Sequence, residues 1–290
     1  MASSTIHRPQ DRPEAPHERQ TASTTASMSE LRFTHIGGPT TLLEIGGWHI
    51  LTDPTFDVPG TRYRLGTGIA STKLSGPARR PEDLGPIDAV LLTHDHHADN
   101  LDGEGRELLA SAGVVVTTAG GAARLGSHAR GLEPWSSTEL RAASRPAITV
   151  TATPCRHGPP LSRPLVGDVV GFALSWPGQR HGVLWVSGDT VLYRGLRTVA
   201  RRLDVSVAVL HLGSARFTVT GPTRYTMGAH AAVRLCSALQ PRRVIPVHYE
   251  GWSHARQGRA AIEAAFARGP ARVRDALRVA AIGEILSIEV

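Results

Sequence analysis

The chain has 290 residues, 41% of them apolar and 20% charged, with a formal net charge of +7. That is long enough to bury a full core and ordinary for a globular protein, and no apolar run approaches the roughly 18 residues of a membrane span, so a membrane partner is excluded. Lys73 is the single lysine among 32 basic residues; the positive charge is thus a chain-wide arginine bias, and nucleic acid is discounted as a partner.

Residues 1–29 are rich in Ser, Thr, Pro and charge, which predicts a disordered tail. The tail lacks the apolar core of a signal peptide, and Asp11, Glu14 and Glu18 make it unlike a transit peptide, so a cytoplasmic protein is expected. Met28, just before the first patterned segment, is a candidate natural start. Residues 30–290 read as a single domain. Strand patterns cover 31–36, 40–45 and 48–52, punctuated by paired glycines. A long Gly/Pro-rich loop is expected over 54–86, in a position to cover a site. A strand at 88–92, a helix at 101–112, a strand at 114–118 and a short helix at 121–125 follow. The second half predicts strands at 148–152, 169–176, 183–186, 205–210, 244–247 and 285–290, with helices at 191–203, 227–239 and 259–268. Two packed sheets with helices outside satisfy this order. The arginines at 194–202 and 268–278 read as solvated helix faces. Two cysteines, Cys155 and Cys236, provide no disulfide framework and read as packed residues.

The densest chemical signal is Thr93-His94-Asp95-His96-His97-Ala98-Asp99-Asn100, directly after the apolar run 89–92. Imidazole and carboxylate together suit Zn²⁺ or Mn²⁺. His94 and His96 are two apart, so an extended backbone points both at one metal. Three other apolar strands run into ligand-type residues, at His157, Asp189 and His248. Strand ends gather at one edge of a mixed sheet, and four of them carrying such residues form a pattern that none carries alone. Taken singly, the residues have plainer readings: a solvated loop for His94 and His96, a turn for His157, a helix cap for Asp189, a packed core histidine for His248. Asp99 is balanced between ligand and helix cap. Beyond the tail, His35, His49, His128, His181, His211, His230 and His254 have no partner pattern, although His211 and His230 are candidates to line the pocket.

With these residues in view, the chain resembles the metallo-β-lactamase fold superfamily of hydrolases, in its L-ascorbate-6-phosphate lactonase-like branch. The resemblance runs from about residue 31 to the C-terminus. It includes Gly-Gly-Pro-Thr-Thr-Leu-Leu-Glu-Ile, then Leu51-Thr52-Asp53-Pro54, the histidine loop, Ser187-Gly188-Asp189-Thr190 and Pro246-Val247-His248-Tyr249. It implies an α/β fold: an αββα four-layer sandwich of two mixed sheets, with a metal site at one edge. By the same resemblance His94, His96 and His157 hold a first metal, Asp189 bridges to a second, His248 completes that second site, and Asp53 braces the metal loop. One departure stands out. The family loop is H-x-H-x-D-H, and here Ala98 stands where the aspartate belongs. With one extra residue in the loop, Asp99 takes the aspartate role and Asn100 stands at the third histidine. His97 is then available to compensate from the inserted position. One or two ions, Zn²⁺ before Mn²⁺, remain open.

The implied function is a metal-dependent hydrolase that uses a metal-activated hydroxide on a small ester, lactone or phosphorylated metabolite, with Asp99 and Asp189 handling the proton. Arg156, Arg216, Tyr249 and Trp252 flank ligand positions and are candidates to bind an anionic small molecule. A phosphodiesterase acting on nucleic acid or phospholipid and a non-catalytic metal-binding member of the fold are the alternatives. A homo-oligomer is left open.

Overall fold

A computed structural model of the protein describes Met1, residues 28–66 and residues 68–290. The expected disordered tail therefore lies almost wholly outside the described residues. The first half contains β1 (Glu30–Gly37), β2 (Thr40–Ile45), β3 (Trp48–Thr52), β4 (Arg62–Gly66), β5 (Ile69–Thr72), β6 (Ala89–Leu91), α1 (Gly103–Leu108), β7 (Val115–Thr118), α2 (Ala119–Leu125), β8 (Ala129–Leu132) and β9 (Ser137–Leu140). The second contains β10 (Ile148–Pro154), α3 (Arg163–Val166), β11 (Val170–Ser175), β12 (Val183–Val186), α4 (Arg194–Arg202), β13 (Val205–His211), α5 (Ala229–Leu239), β14 (Arg243–Val247), α6 (Arg259–Ala267), α7 (Ala271–Ala276) and β15 (Ile285–Glu289).

One sheet has the order β15-β1-β2-β3-β6-β7-β8 and the other β14-β13-β12-β11-β10-β9. Both are mixed: β3, β6 and β7 run parallel, as do β12, β13 and β14, while the β1–β2 and β10–β11 pairs are antiparallel. The alternation of strand side chains explains the layering. In β13, Val207 and Val209 enter the core between the sheets, whereas Ala208 and Leu210 face the helices. The inter-sheet core joins Phe33, Leu43, Ile50 and Leu91 to Val150, Phe172, Val186 and Ile245. On the outer face of the second sheet, Trp185 and Val244 pack with Leu196 of α4, Leu235 of α5 and Phe266 of α6. On the outer face of the first, Leu51 and Val90 pack with Leu108 of α1 and with Leu84 and Ile87. The result is the expected αββα sandwich.

The structure differs from the sequence reading at several elements. The 54–86 segment is not loop throughout, because β4 and β5 pair there as an antiparallel hairpin. Its glycine punctuation and charged Arg62 and Arg64 hide a strand pattern in which only one face is covered. The helix expected at 101–112 is a short α1 capped by Asp102, which accepts from Gly105 N at 2.9 Å, followed by a 3₁₀ turn. Asp99 is therefore not the helix cap. Helix α4 starts at Arg194, not at 191, so Asp189 is free of a capping role. Strands β8 and β9 and the short helices α3 and α7 were not anticipated.

Candidate metal centre

Parallel strands carry their C-terminal ends to one edge. From β3 comes Asp53, from β6 the histidine loop, from β12 Asp189, from β13 His211 and from β14 His248. Strand β10 is antiparallel to β11, which is antiparallel to β12, so β10 also delivers His157 to this edge. Two of these residues sit in the left-handed region, Asp53 at φ 36° and His248 at φ 56°, a backbone strain that clusters at functional sites. Gly188, at φ 63°, is required before Asp189, since a Cβ there would lie 2.6 Å from the Val170 carbonyl oxygen.

Three histidines form the first group. His94 Nε2 and His157 Nε2 each lie 3.2 Å from His97 Nδ1, and all three rings are buried. The outer nitrogens are already committed. His157 Nδ1 donates to the Tyr225 carbonyl at 2.9 Å. Thr93 Oγ1 donates to Asp53 Oδ1 at 2.9 Å and so accepts from His94 Nδ1 at 3.1 Å. Both residues thus present a bare Nε2 toward the shared centre, the tautomer that an outer partner imposes on a ligating histidine. Burial, with the neighbouring His97, drives the His94 pKa well down, and burial with His157 takes His97 to about 4. His94 and His97 are therefore neutral at physiological pH, as ligands must be.

A second group follows directly. Asp99 Oδ2 lies 3.1 Å from His254 Nε2 and 3.5 Å from His248 Nε2. Asp189 Oδ1 lies 3.1 Å from His248 Nδ1 and 3.0 Å from His211 Nδ1. Burial alone would raise both carboxyls. The histidines, His254 foremost for Asp99 and His248 for Asp189, outweigh it and hold both well below the usual carboxylate range. Burial alone would likewise lower His248, but Asp189 and Asp99 raise it well above the usual imidazole value. Asp99 Oδ1, Asp189 Oδ2, His248 Nε2 and His211 Nε2 are buried without a hydrogen-bond partner. Orphaned buried carboxylate oxygens beside buried imidazole nitrogens fit divalent cations of the Zn²⁺ class, which would take the place of the His248 proton.

The structure places the expected residues unevenly. His94, His157 and His97 meet, and His96 does not. Strand β6 ends at Leu91 and the chain bends at Thr93, Asp95 and His96, so the alternation of an extended strand does not apply. His96 is exposed, its Nδ1 3.5 Å from Asp95 Oδ1, and Asp95 is held by Arg124 at 2.6 and 2.7 Å. Asp53 Oδ1 accepts from Thr93 N at 2.7 Å, and burial pushes its carboxyl up to about 8. Asn100 is buried and reaches only Thr93 Oγ1, at 3.4 Å. Arg156 stacks its guanidinium 4.7 Å over Tyr193, beside a cavity of about 340 Å³ that also touches His157. Arg216 lines a cavity bounded by His254. Tyr249 packs in the helix-side core, and Trp252 is buried against Tyr63 and His254, with Lys73 over its ring. His230, a candidate to line the pocket, is exposed on α5.

Sequence reasoning assigned no metal role to His211 or His254. His211 ends the apolar run of β13, the same context that flagged the other strand ends. His254 carries no such mark. It is delivered by the 251–254 segment, which the hairpin grips: Ser253 N donates to the Thr72 carbonyl at 3.0 Å, and Ser71 Oγ lies 2.6 Å from His254 Nδ1.

The family model described as the beta-lactamase superfamily domain matches residues 49–249. The chain belongs to this superfamily. It is 28% identical over 179 residues to a UPF0173 metal-dependent hydrolase of Pyrobaculum arsenaticum, covering 58% of this chain and 68% of the relative. A namesake from Pyrococcus furiosus is 24% identical over 227 residues, covering 77% and 86%. Among solved structures, an isothiocyanate hydrolase from Delia radicum gut bacteria superposes with a TM-score of 0.74 at 21% identity, over 89% of this chain and 100% of that one. A metallo hydrolase from Ignicoccus hospitalis gives 0.65 at 21%, over 90% and 99%. The protein is accordingly a metal-dependent hydrolase of the metallo-β-lactamase superfamily. No helix among the described residues is long and apolar enough to cross a membrane.

Proposed function

We propose that this superfamily member hydrolyses a small ester or lactone, in the manner of the L-ascorbate-6-phosphate lactonase-like branch, with zinc held at two neighbouring positions. His94, His97 and His157 would hold the first ion, and Asp99, His248 and His254 the second, with Asp189 between them. On this reading His254 stands in for the histidine that Asn100 lacks, and His97 takes the place expected of His96. When bound, such a cation lowers the pKa of its water from 15.7 to about 7 and polarises the oxygen under attack.

The chain's own residues supply the rest. Asp99 and Asp189 are ionised, and each keeps one buried oxygen free of partners. One of the two, Asp99 or Asp189, would receive the proton of the attacking water and return it to the leaving oxygen. Thr93 and Asp53 fix the His94 ring, and the Tyr225 carbonyl fixes His157, so little reorganises during the reaction. Leu65, Ile69, Phe217 and Tyr225 wall the small cavity over His97, Asp99, His157 and His254, and exclude bulk water.

The observation that carries this reading is the convergence of three buried imidazoles on one point, with unpartnered carboxylate oxygens beside them. Elemental analysis of the purified wild type and of His97→Ala and His96→Ala tests it. About two equivalents of zinc are expected in the wild type, about one in His97→Ala and no change in His96→Ala. Zinc lost from His96→Ala and kept by His97→Ala would overturn the assignment.

A further inference from the structure

Just outside the metal centre lies a second cavity of about 180 Å³, walled by Arg62, Arg216, Arg256, Ile69, Phe217 and His254. It shares Ile69, Phe217 and His254 with the small cavity over the metal centre, so the two are neighbours across the Phe217 ring. The Phe217 ring stands 5.3 Å from the His254 ring and 5.5 Å from Tyr225.

The three arginines come from separate places in the chain: β4, the segment after β13 and the segment after β14. No carboxylate lines this cavity, and none lies within ion-pair distance of these arginines among the described residues. Arg216 Nε is buried without a hydrogen-bond partner. Its backbone is tied to the metal centre, since Arg216 N donates to the His254 carbonyl at 3.1 Å, and Arg256 Nε donates to the Arg216 carbonyl at 3.3 Å. A concave group of unpaired guanidiniums is a binding site for an oxyanion, which they recognise through paired N–H donors. The cavity is below the roughly 300 Å³ of a whole-ligand site, and so is sized for one charged group of a larger molecule.

We infer that the substrate is an amphiphilic anion: an oxyanion group, phosphate or carboxylate, seats among Arg62, Arg216 and Arg256, while an apolar body passes Phe217, Ile69 and Leu65 to bring the scissile bond to the metal centre. This inference rests on the hydrolase reading for the position of the scissile bond, but the anion site itself needs no metal.

The test is titration calorimetry of the full chain with inorganic phosphate, acetate and phenyl phosphate, before and after metal is stripped by a chelator. The proteins are wild type, Arg216→Met and the double variant Arg62→Met/Arg256→Met. Because Arg62 and Arg256 are exposed, the double variant keeps the fold even where Arg216→Met does not. Phosphate or acetate is expected to bind stripped wild type, with affinity lower by about tenfold for each arginine removed. The tighter of the two identifies the anionic group. Phenyl phosphate is expected to bind about tenfold tighter than inorganic phosphate through the apolar wall. Anion binding that disappears on stripping, or that is unchanged in the double variant, overturns the inference. Equal binding of phenyl phosphate and phosphate overturns its apolar half. Metal content before stripping separates the two readings: arginine-dependent binding by a wild type that carries no metal as purified and takes up none when zinc is added would refute the hydrolase centre and leave the anion site standing.

Discussion

Ser71 Oγ lies 2.6 Å from Nδ1 of His254, and both residues are buried. The contact joins the β4–β5 hairpin to a proposed metal ligand, so the cover of the site and its coordination are one structure. Removing the hydroxyl should loosen the ring without removing the ligand. In Ser71→Ala, affinity for the second zinc is expected to fall by about tenfold to a hundredfold. In His254→Ala that ion is expected to be lost while the first is retained. Competition with a metallochromic chelator measures both, and unchanged zinc affinity in His254→Ala would remove this residue from the centre.

The single lysine of the chain is structural. Lys73 Nζ donates to Asp102 Oδ2 at 2.8 Å with both side chains buried, and Asp102 also accepts from Phe56 N at 2.9 Å and Asp57 N at 2.8 Å. Lys73→Met leaves that carboxylate buried without its counter-charge. Breaking such a pair costs about 3–5 kcal/mol. Chemical denaturation should show a midpoint shift of that size, and a loss under 1 kcal/mol would mean that the backbone donors suffice.

Gly167 explains where His96 goes. Its φ is 76°, and a Cβ there would stand 2.3 Å from the His96 ring. Gly167, with ψ −176°, lies in a region essentially reserved for glycine, so Gly167→Ala is expected to cost about 1–3 kcal/mol from backbone strain alone and to displace the His96 ring. Zinc content should stay at the wild-type value, because His96 lies outside the proposed ligand set. Loss of zinc in this variant would tie His96 to the centre after all.

Burial pushes the Cys236 thiol up to about 12. The folded state therefore keeps this proton at pH values where the unfolded chain, with an ordinary thiol pKa of about 8.5, gives it up. Between those values the unfolded state binds fewer protons, so the thiol's contribution to stability falls as pH rises, by up to about 1.4 kcal/mol per pH unit. It is fully present below about pH 8. Denaturation at pH 8, 9 and 10 should show a steeper decline for wild type than for Cys236→Ala. Parallel slopes would contradict the burial effect.

Much of the fold was legible because its signals are local. Apolar runs such as 205–210 and 244–247, buried on both faces, announce strands, and paired glycines mark the ends of those near the N-terminus. The hairpin over the site was not legible, because Tyr63, Leu65 and Ile69 gain cover from Trp252, Phe217 and the histidine cluster, all distant in sequence.

The same division holds within the site. Sequence alone determined that His94, His157, Asp189 and His248 terminate apolar strands, and a shared sheet edge then brings strand ends together. Only the tertiary structure decided which histidine of the loop turns inward, because the backbone after Thr93 folds into a turn and ends the alternation that favoured His96. It also decided that His211 and His254 join the cluster. Their side chains meet Asp189 and Asp99 through the packing of one sheet on the other and the grip of the hairpin on residues 251–254, contacts set by the whole fold and by no local spacing.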